Sequence, residues 1–154
     1  MTRTMKSVLV LACGNTLRGD DGVAWHIGSA LKDGPARAGA EVILARQLLP
    51  EHAEALSSAD LAIFIDCSVA VHPGVVSIFL VNPAQSLPRI FTHHLDPASL
   101  LKLCQNLYGR IPSHSVAITV GGESFALKDG LSKSVTAAIP IAIEAVRDAY
   151  RNAQ

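Results

Sequence analysis

The chain contains 154 residues, of which 49% are apolar and 17% are charged, and its 13 Lys and Arg balance its 13 Asp and Glu. This length predicts a single domain over residues 1–154 that buries a substantial core. Because the formal net charge is zero, we expect neither nucleic acid nor an anionic membrane as a partner. No apolar run in the sequence approaches the roughly 20 residues that a membrane-spanning helix needs.

Three cysteines, Cys13, Cys67 and Cys104, are far apart in the sequence, and each lies in or beside an apolar run. None of them belongs to a Cys-x-x-Cys pair. We therefore predict reduced, buried thiols in a cytoplasmic protein. Residues 7–13 are only marginally long for the apolar part of a signal peptide, and we interpret them as a core strand.

Apolar runs rich in Val and Ile alternate with segments of helical period, which indicates an α/β fold with a largely parallel sheet. The first strand, residues 8–12, is apolar throughout, as expected for a strand that is covered on both faces. After a glycine-rich turn, apolar residues recur at helical spacing over residues 23–31, and Gly34 with Pro35 ends that helix. Residues 41–45 form the second predicted strand.

Pro50 is expected to begin a short helix, since its missing N–H is not needed in the first turn. Residues 61–65 form the third predicted strand, and residues 75–81 form the fourth. Pro73 and Gly74 make the turn before the fourth strand, and this connection is too short for a crossover helix. We therefore expect the fourth strand to pair antiparallel with the third.

The segment 82–94 contains two prolines and is long for a loop in a compact domain, which favours a functional role. Asp96 is predicted to cap the helix that follows, with Pro97 in its first turn and Gly109 at its end. The apolar positions of this helix are expected to form a buried stripe: Leu100, Leu101, Cys104 and Leu107.

The fifth predicted strand covers residues 116–120 and is followed by two glycines. The last helix is predicted to begin at Ser132. Pro140 removes one backbone donor inside this helix, so a kink or a restart is expected there. One face of the helix is apolar and is expected to be buried: Val135, Ile139, Ile143 and Val146.

Unusual polar residues follow three of the predicted strands. Residues 14–22, GNTLRGDDG, follow the first strand, Asp66 ends the third, and the loop after the fourth ends in His93 and His94. In a doubly wound sheet, functional groups collect at the carboxyl ends of the strands. We therefore expect these groups to converge.

Two carboxylates and an imidazole from separate loops suit a divalent transition ion, with positions left open for a substrate group. For Asp20 and Asp21, a structural role is an alternative, because either carboxylate can accept N–H bonds at the start of the following helix. Asp66 directly follows five apolar residues and must be paired or hydrogen-bonded. His93 and His94 are both candidates for the imidazole ligand. The other four histidines are expected to be ordinary surface or core residues: His26, His52, His72 and His114.

Three other chemistries match the sequence less well. The glycine-rich turn has neither the GxGxxG nor the GxxxxGK[ST] pattern, and its two adjacent carboxylates would repel a phosphate. Cys67 adjoins Asp66, but nothing marks it as an exposed or activated nucleophile. Ser68 lacks the GxSxG turn of the α/β hydrolases.

Residues 14–22 resemble the G-N-x-L-x-x-D-[DE]-G signature of the hydrogenase maturation endopeptidases, which that family also has between its first strand and first helix. The resemblance extends over almost the whole chain. It includes residues 47–51, 63–66, 92–93 with 100–101, and 130–132. The family's fold implies a three-layer α/β/α sandwich around a twisted, mostly parallel five-stranded sheet.

The resemblance also implies a function. Family members remove a short C-terminal extension from the large-subunit precursor of a nickel-iron hydrogenase once nickel is installed, and two acidic residues and one His bind that metal. Carried over by motif, the ligands are Asp21, Asp66 and His93, and the two aspartates are also the expected catalytic groups. His93 is favoured over His94 because its distance from residues 100–101 matches the family spacing. The nickel is expected to arrive in the precursor, with no tightly bound resident cofactor.

The chain departs from the family pattern at Ala12 and Ala24, where glycine is common in the family. Both side chains are small, so close backbone packing is expected to be retained. Two rival functions are a non-proteolytic metal-binding accessory protein of hydrogenase assembly and a nucleotide- or phosphate-binding α/β domain. The accessory protein would bind the precursor and leave its mass unchanged. No sequence pattern indicates the oligomeric state.

Overall fold

A computed structural model describes residues 7–34, 40–83 and 95–153. Within these ranges, strands and helices follow one another in the order expected for an α/β fold. The elements are β1 (Val8–Cys13), α1 (Val23–Asp33), β2 (Ala40–Ala45), α2 (His52–Ser57), β3 (Leu61–Ser68), β4 (Val76–Leu80), α3 (Pro97–Tyr108), β5 (His114–Gly121) and α4 (Lys133–Asn152), with a 3-10 helix over Gly19–Gly22. Among the described helices, none combines the length and apolar character needed to cross a bilayer.

The five strands form one sheet in the order β2-β1-β3-β5-β4, with β4 antiparallel to its neighbour and the other pairs parallel. The chain moves outward from β1 to β2 and then returns to the opposite side of β1 as β3. The direction of winding therefore reverses between β1 and β3, and the loops that leave these two strands diverge to open a crevice. The predicted five-stranded, mostly parallel sheet is confirmed.

The position of β4 corrects one prediction. This strand pairs with β5 rather than with β3, so that Val76 lies opposite Val120 and Leu80 lies opposite Val116. β3 has no free edge, because parallel ladders to β1 and β5 occupy both of its sides. β4 therefore takes the outer edge of β5, a strand that appears later in the sequence.

Side chains of β1 alternate between two hydrophobic cores, which explains why this strand is apolar throughout. Val8 and Val10 pack with α1 and α4 on one face of the sheet, and Leu9 and Leu11 pack with α2 and α3 on the other. Complete burial of one such side chain stabilises the fold by about 1.5–3 kcal/mol. The three-layer α/β/α architecture is confirmed.

The ends of α3 follow the signals in the sequence. The Asp96 carboxylate accepts a hydrogen bond of 2.7 Å from the Ser99 N–H, and Gly109 ends the helix with a left-handed φ of 68°. Leu107 is wrongly predicted as buried, because residues 105–108 form a last helical turn that is exposed throughout.

The structure bears on two predictions about proline. α2 begins at His52 rather than at Pro50, because residues 49–53 first form a turn closed by backbone hydrogen bonds. α4 runs without a restart through Pro140, which lies on its exposed side. The buried residues Ala138 and Ala142 on either side of this proline hold the helix against the sheet.

Asp20 joins three segments of the fold and is fully buried. Its carboxylate accepts hydrogen bonds of 2.7–2.8 Å from the backbone N–H groups of Glu123, Ser124 and Ser132, and one of 2.9 Å from the Ser132 hydroxyl. Burial by itself raises the pKa of Asp20, but the hydrogen bonds outweigh it and the pKa lies below its usual value. The loop after β1 is thereby fastened to the loop after β5 and to the start of α4.

Replacing Asp20 tests this fastening. In the wild type the carboxylate accepts hydrogen bonds from several donors, and in Asp20→Asn an amide N–H₂ group would face some of these donors without accepting from them. We therefore expect the free energy of unfolding to fall by at least about 2 kcal/mol. Asp33→Asn, at the exposed end of α1, is the matched control and is expected to change it by no more than about 0.5 kcal/mol. Urea titrations measure both, and equal losses in the two variants would contradict a fastening role.

Candidate active site

A cavity of about 330 Å³ lies where β1 and β3 end, at the reversal of winding, and we call it the first cavity. Both Asp21 and Asp66 line it. The predicted convergence of these two residues is therefore confirmed. Apolar side chains form part of the wall: Leu48, Phe64, Leu95 and Phe125.

The loop of residues 14–22 folds back on itself and thereby positions Asp21. The Asn15 N–H donates to Asp21 Oδ2 at 2.8 Å, while Asn15 Oδ1 accepts from the Leu17 N–H at 3.0 Å. A Cβ added at Gly14 would lie 2.0 Å from the carbonyl oxygen of Asp21, so only glycine fits there. The motif's glycine and asparagine are thus explained by the position that Asp21 must occupy.

The adjacent residues Asp20 and Asp21 have different roles. Asp20 has the structural role that was one alternative for this pair, although its donors belong to the loop after β5 and to the start of α4 rather than to α1. Asp21 is only partly buried and is exposed to the first cavity. Only the second carboxylate of the pair is therefore available to a ligand.

Asp66 lies within β3, which continues to Ser68 and does not end at Asp66 as predicted. The extension is held by the ladder to β5, in which Asp66 lies opposite Thr119. Removal from water raises the pKa of Asp66 from 3.8 to about 7; a hydrogen bond of 2.7 Å from the Cys67 N–H opposes this rise, and the charge of Asp21 adds to it. The two carboxylates are therefore close enough to interact, and one of them exchanges its proton near neutral pH.

The thiols of Cys13 and Cys67 border the same cavity. Burial, followed by the charge of Asp66, raises the pKa of each thiol to about 12. Each thiol is therefore protonated at neutral pH, and neither is the thiolate that nucleophilic catalysis requires. All three cysteines of the chain are free and buried, as predicted.

The predicted imidazole ligand, His93, lies outside the described residues, and so does the alternative, His94. Leu95 and Asp96, which follow them in the chain, line the first cavity. Among the described residues, no group of three or more His, Cys, Asp or Glu side chains is arranged to hold a metal ion. The three-residue ligand set therefore stays a prediction.

Two arginines at the cavity, Arg18 and Arg46, were not singled out in the sequence. Arg18 belongs to the loop after β1, and Arg46 directly follows β2. The carboxyl ends of parallel neighbouring strands meet at one edge of a sheet. The position of Arg46 directly after β2 could therefore have indicated from the sequence that this residue lies near the site.

The fold and the two carboxylates define a class of protein: an α/β/α sandwich with an acidic cleft at the switch point of its sheet, where the direction of winding reverses. Neither a protein-family model nor a curated protein sequence matches the chain. Solved structures do match. The hydrogenase maturating endopeptidase HybD from E. coli has a TM-score of 0.77 and 25% identity, over 95% of this chain and 93% of that one.

Two further structures are similar. An endopeptidase from Escherichia coli, solved in solution, has a TM-score of 0.75 and 26% identity, over 95% of this chain and 93% of that one. The [NiFe] hydrogenase maturation protease HybD from Thermococcus kodakarensis has a TM-score of 0.67 and 25% identity, over 92% of this chain and 97% of that one. These structures confirm the resemblance to the hydrogenase maturation endopeptidases that residues 14–22 indicate, and they support peptidase activity for this chain.

The raised pKa of Asp66 predicts a pH-dependent stability. Between about pH 4 and pH 7 the folded protein keeps the Asp66 proton that the unfolded chain has released, so the stability falls as the pH rises through this interval. Asp66→Asn cannot ionise, and we expect its stability relative to the wild type to increase from pH 5 to pH 8. Urea titrations at the two pH values measure this, and a difference that stays constant would refute it.

Proposed function

We propose that this endopeptidase removes the C-terminal extension of a nickel-iron hydrogenase large-subunit precursor after nickel insertion, and recognises the precursor's nickel through Asp21, Asp66 and His93. The observation that carries the proposal is the convergence of Asp21 and Asp66 in one cavity at the switch point of the sheet. The names of the similar solved structures support a hydrogenase precursor as the substrate. Three free thiols fit the reducing cytoplasm, where we place the reaction.

The proposed ligands suit an ion that arrives with the substrate. Carboxylate oxygens and imidazole nitrogen bind divalent transition ions, and soft thiolates of the precursor would supply the remaining coordination. Two carboxylates and one histidine leave several positions of the ion to the substrate. His93 and His94 directly precede the cavity-lining residue Leu95, which supports a histidine of this pair as the third ligand, and the motif spacing favours His93.

Hydrolysis of the peptide requires an activated water molecule close to the scissile carbonyl. The raised pKa of Asp66, about 7, makes it a stronger base than an ordinary carboxylate and suits it to accept a proton from water. Docking of the nickel between Asp21 and Asp66 would hold the scissile peptide beside both carboxylates. The attacking water is activated either by such a carboxylate or by polarisation on the precursor's nickel.

Three substitutions test the proposed site. Asp21→Asn, Asp66→Asn and His93→Gln are each expected to slow cleavage of the nickel-loaded precursor by at least about 100-fold, because each removes a positioning or proton-accepting group. Asp33→Asn, at the end of α1 that is distant from the cavity, is the control and is expected to cleave at the wild-type rate. Mass spectrometry follows the loss of the extension, and wild-type rates in all three variants would exclude this site.

The nickel dependence has its own test. A nickel-free precursor should remain at full mass under conditions in which the nickel-loaded precursor is trimmed, because the metal is proposed to dock the scissile peptide. Equal trimming of both forms would exclude nickel recognition and leave the peptidase activity intact. A stable complex in which the nickel-loaded precursor keeps its full mass would instead identify an accessory protein.

A further inference from the structure

A second cavity, of about 710 Å³, adjoins the first and shares part of its wall. Four residues line both cavities: Arg18, Asp21, Arg46 and Gln47. Asp21 therefore lies at the boundary between the two spaces, with two arginines beside it. A peptide chain that crosses Asp21 would occupy both cavities and pass these arginines.

The backbones of the two arginines are held in place. The Arg18 N–H donates to the Asn15 carbonyl at 3.1 Å, and the Arg18 carbonyl accepts from the Asp21 N–H at 3.1 Å. Arg46 directly follows Ala45, whose carbonyl accepts bonds of 3.0 Å from both the Gly14 N–H and Trp25 Nε1. The starting points of both side chains are thus fixed relative to Asp21.

The side chains of these arginines are exposed and unpaired within the described part of the chain. Arg110, Arg147 and Arg151 each form an ion pair with Asp or Glu. Across residues 7–34, 40–83 and 95–153, neither Arg18 nor Arg46 forms a side-chain ion pair or hydrogen bond. Their guanidinium groups are therefore available to a ligand.

The chemistry of a free guanidinium selects an anion. Its planar array of donors matches a carboxylate and forms two parallel, charge-assisted hydrogen bonds with it. The carboxylates of Asp21 and Asp66 suit a cation, whereas the arginines beside them suit the opposite charge. One substrate satisfies both if it carries a metal ion at the cleavage site and a carboxylate in the adjoining chain.

We propose that Arg18 and Arg46 form a subsite that binds a carboxylate of the precursor's C-terminal extension. The carboxylate belongs either to an acidic side chain of the extension or to its chain terminus. The subsite rests on the proposed function and determines which extensions are accepted. It acts in binding and takes no part in proton transfer.

Neutral variants of the arginines test the subsite. Arg18→Gln and Arg46→Gln are each expected to raise KM for the nickel-loaded precursor about tenfold and to leave kcat within about twofold, because a charge-assisted hydrogen bond to the extension contributes to binding rather than to chemistry. Arg147→Gln removes an exposed arginine of α4 that lines neither cavity, and it should keep the wild-type KM. Unchanged melting temperatures in all three variants would exclude an effect through folding.

Altered precursors identify the source of the carboxylate. In one precursor the acidic side chains of the extension become amides, and in the other a short Gly-Ser tail moves the chain terminus away. The precursor that lacks the recognised carboxylate should show a raised KM with the wild-type enzyme and no further rise with Arg18→Gln or Arg46→Gln. If Arg18→Gln and Arg46→Gln still raise KM about tenfold for a precursor that carries both alterations, the proposal is wrong. It is also wrong if both arginine variants leave KM for the unaltered precursor unchanged.

Binding separates this proposal from the proposed cleavage. The dissociation constant of the nickel-loaded precursor is measured by biolayer interferometry for the wild type, Arg18→Gln, Arg46→Gln and Arg147→Gln. If the wild type binds but does not cleave, and only the first two variants bind more weakly, the cleavage proposal fails and the subsite stands. If the wild type cleaves and all variants bind equally, the subsite fails and the cleavage proposal stands.

Discussion

The buried carboxylate of Asp20 is the constraint on which the geometry of the site depends. Its hydrogen bonds connect the 3-10 helix after β1 with the loop after β5 and with the start of α4. Backbone hydrogen bonds of Lys128 with Leu17 and Gly19 extend the same contact. Since Asp21 is the next residue, the position of its carboxylate depends on contacts made more than 100 residues further along the chain.

Two carboxylates near this site differ in pKa because their surroundings differ. Asp20 is surrounded by N–H and O–H donors that stabilise the anion, whereas Asp66 has lost water and accepts a hydrogen bond from the Cys67 N–H. The first is suited to a permanent structural charge, and the second is suited to exchange a proton at neutral pH. The guanidinium groups of Arg18 and Arg46, which line the same cavity, then give the cleft a positive side next to its two carboxylates.

The local elements of the fold were predictable from the sequence because each depends on a short pattern. The apolar run at residues 8–12, the cap at Asp96 and the glycine at Gly109 indicate a strand and two helix ends through interactions within a few residues. The partner of β4 was not predictable in this way. Its choice depends on β5, which occupies the free side of β3 only after a helix and a long connection.

The sequence by itself indicated the α/β class, the resemblance to the hydrogenase maturation endopeptidases and the two candidate aspartates, because the motif of residues 14–22 and the strand before Asp66 are continuous patterns whose meaning is local. Only the tertiary structure decided which carboxylate of Asp20 and Asp21 is structural and which is open to the cavity. It also decided that Arg46 lies beside Asp21. Both facts depend on contacts between segments that are distant in sequence, because the hydrogen-bond donors of Asp20 and the end of β2 reach the site only when the sheet is assembled.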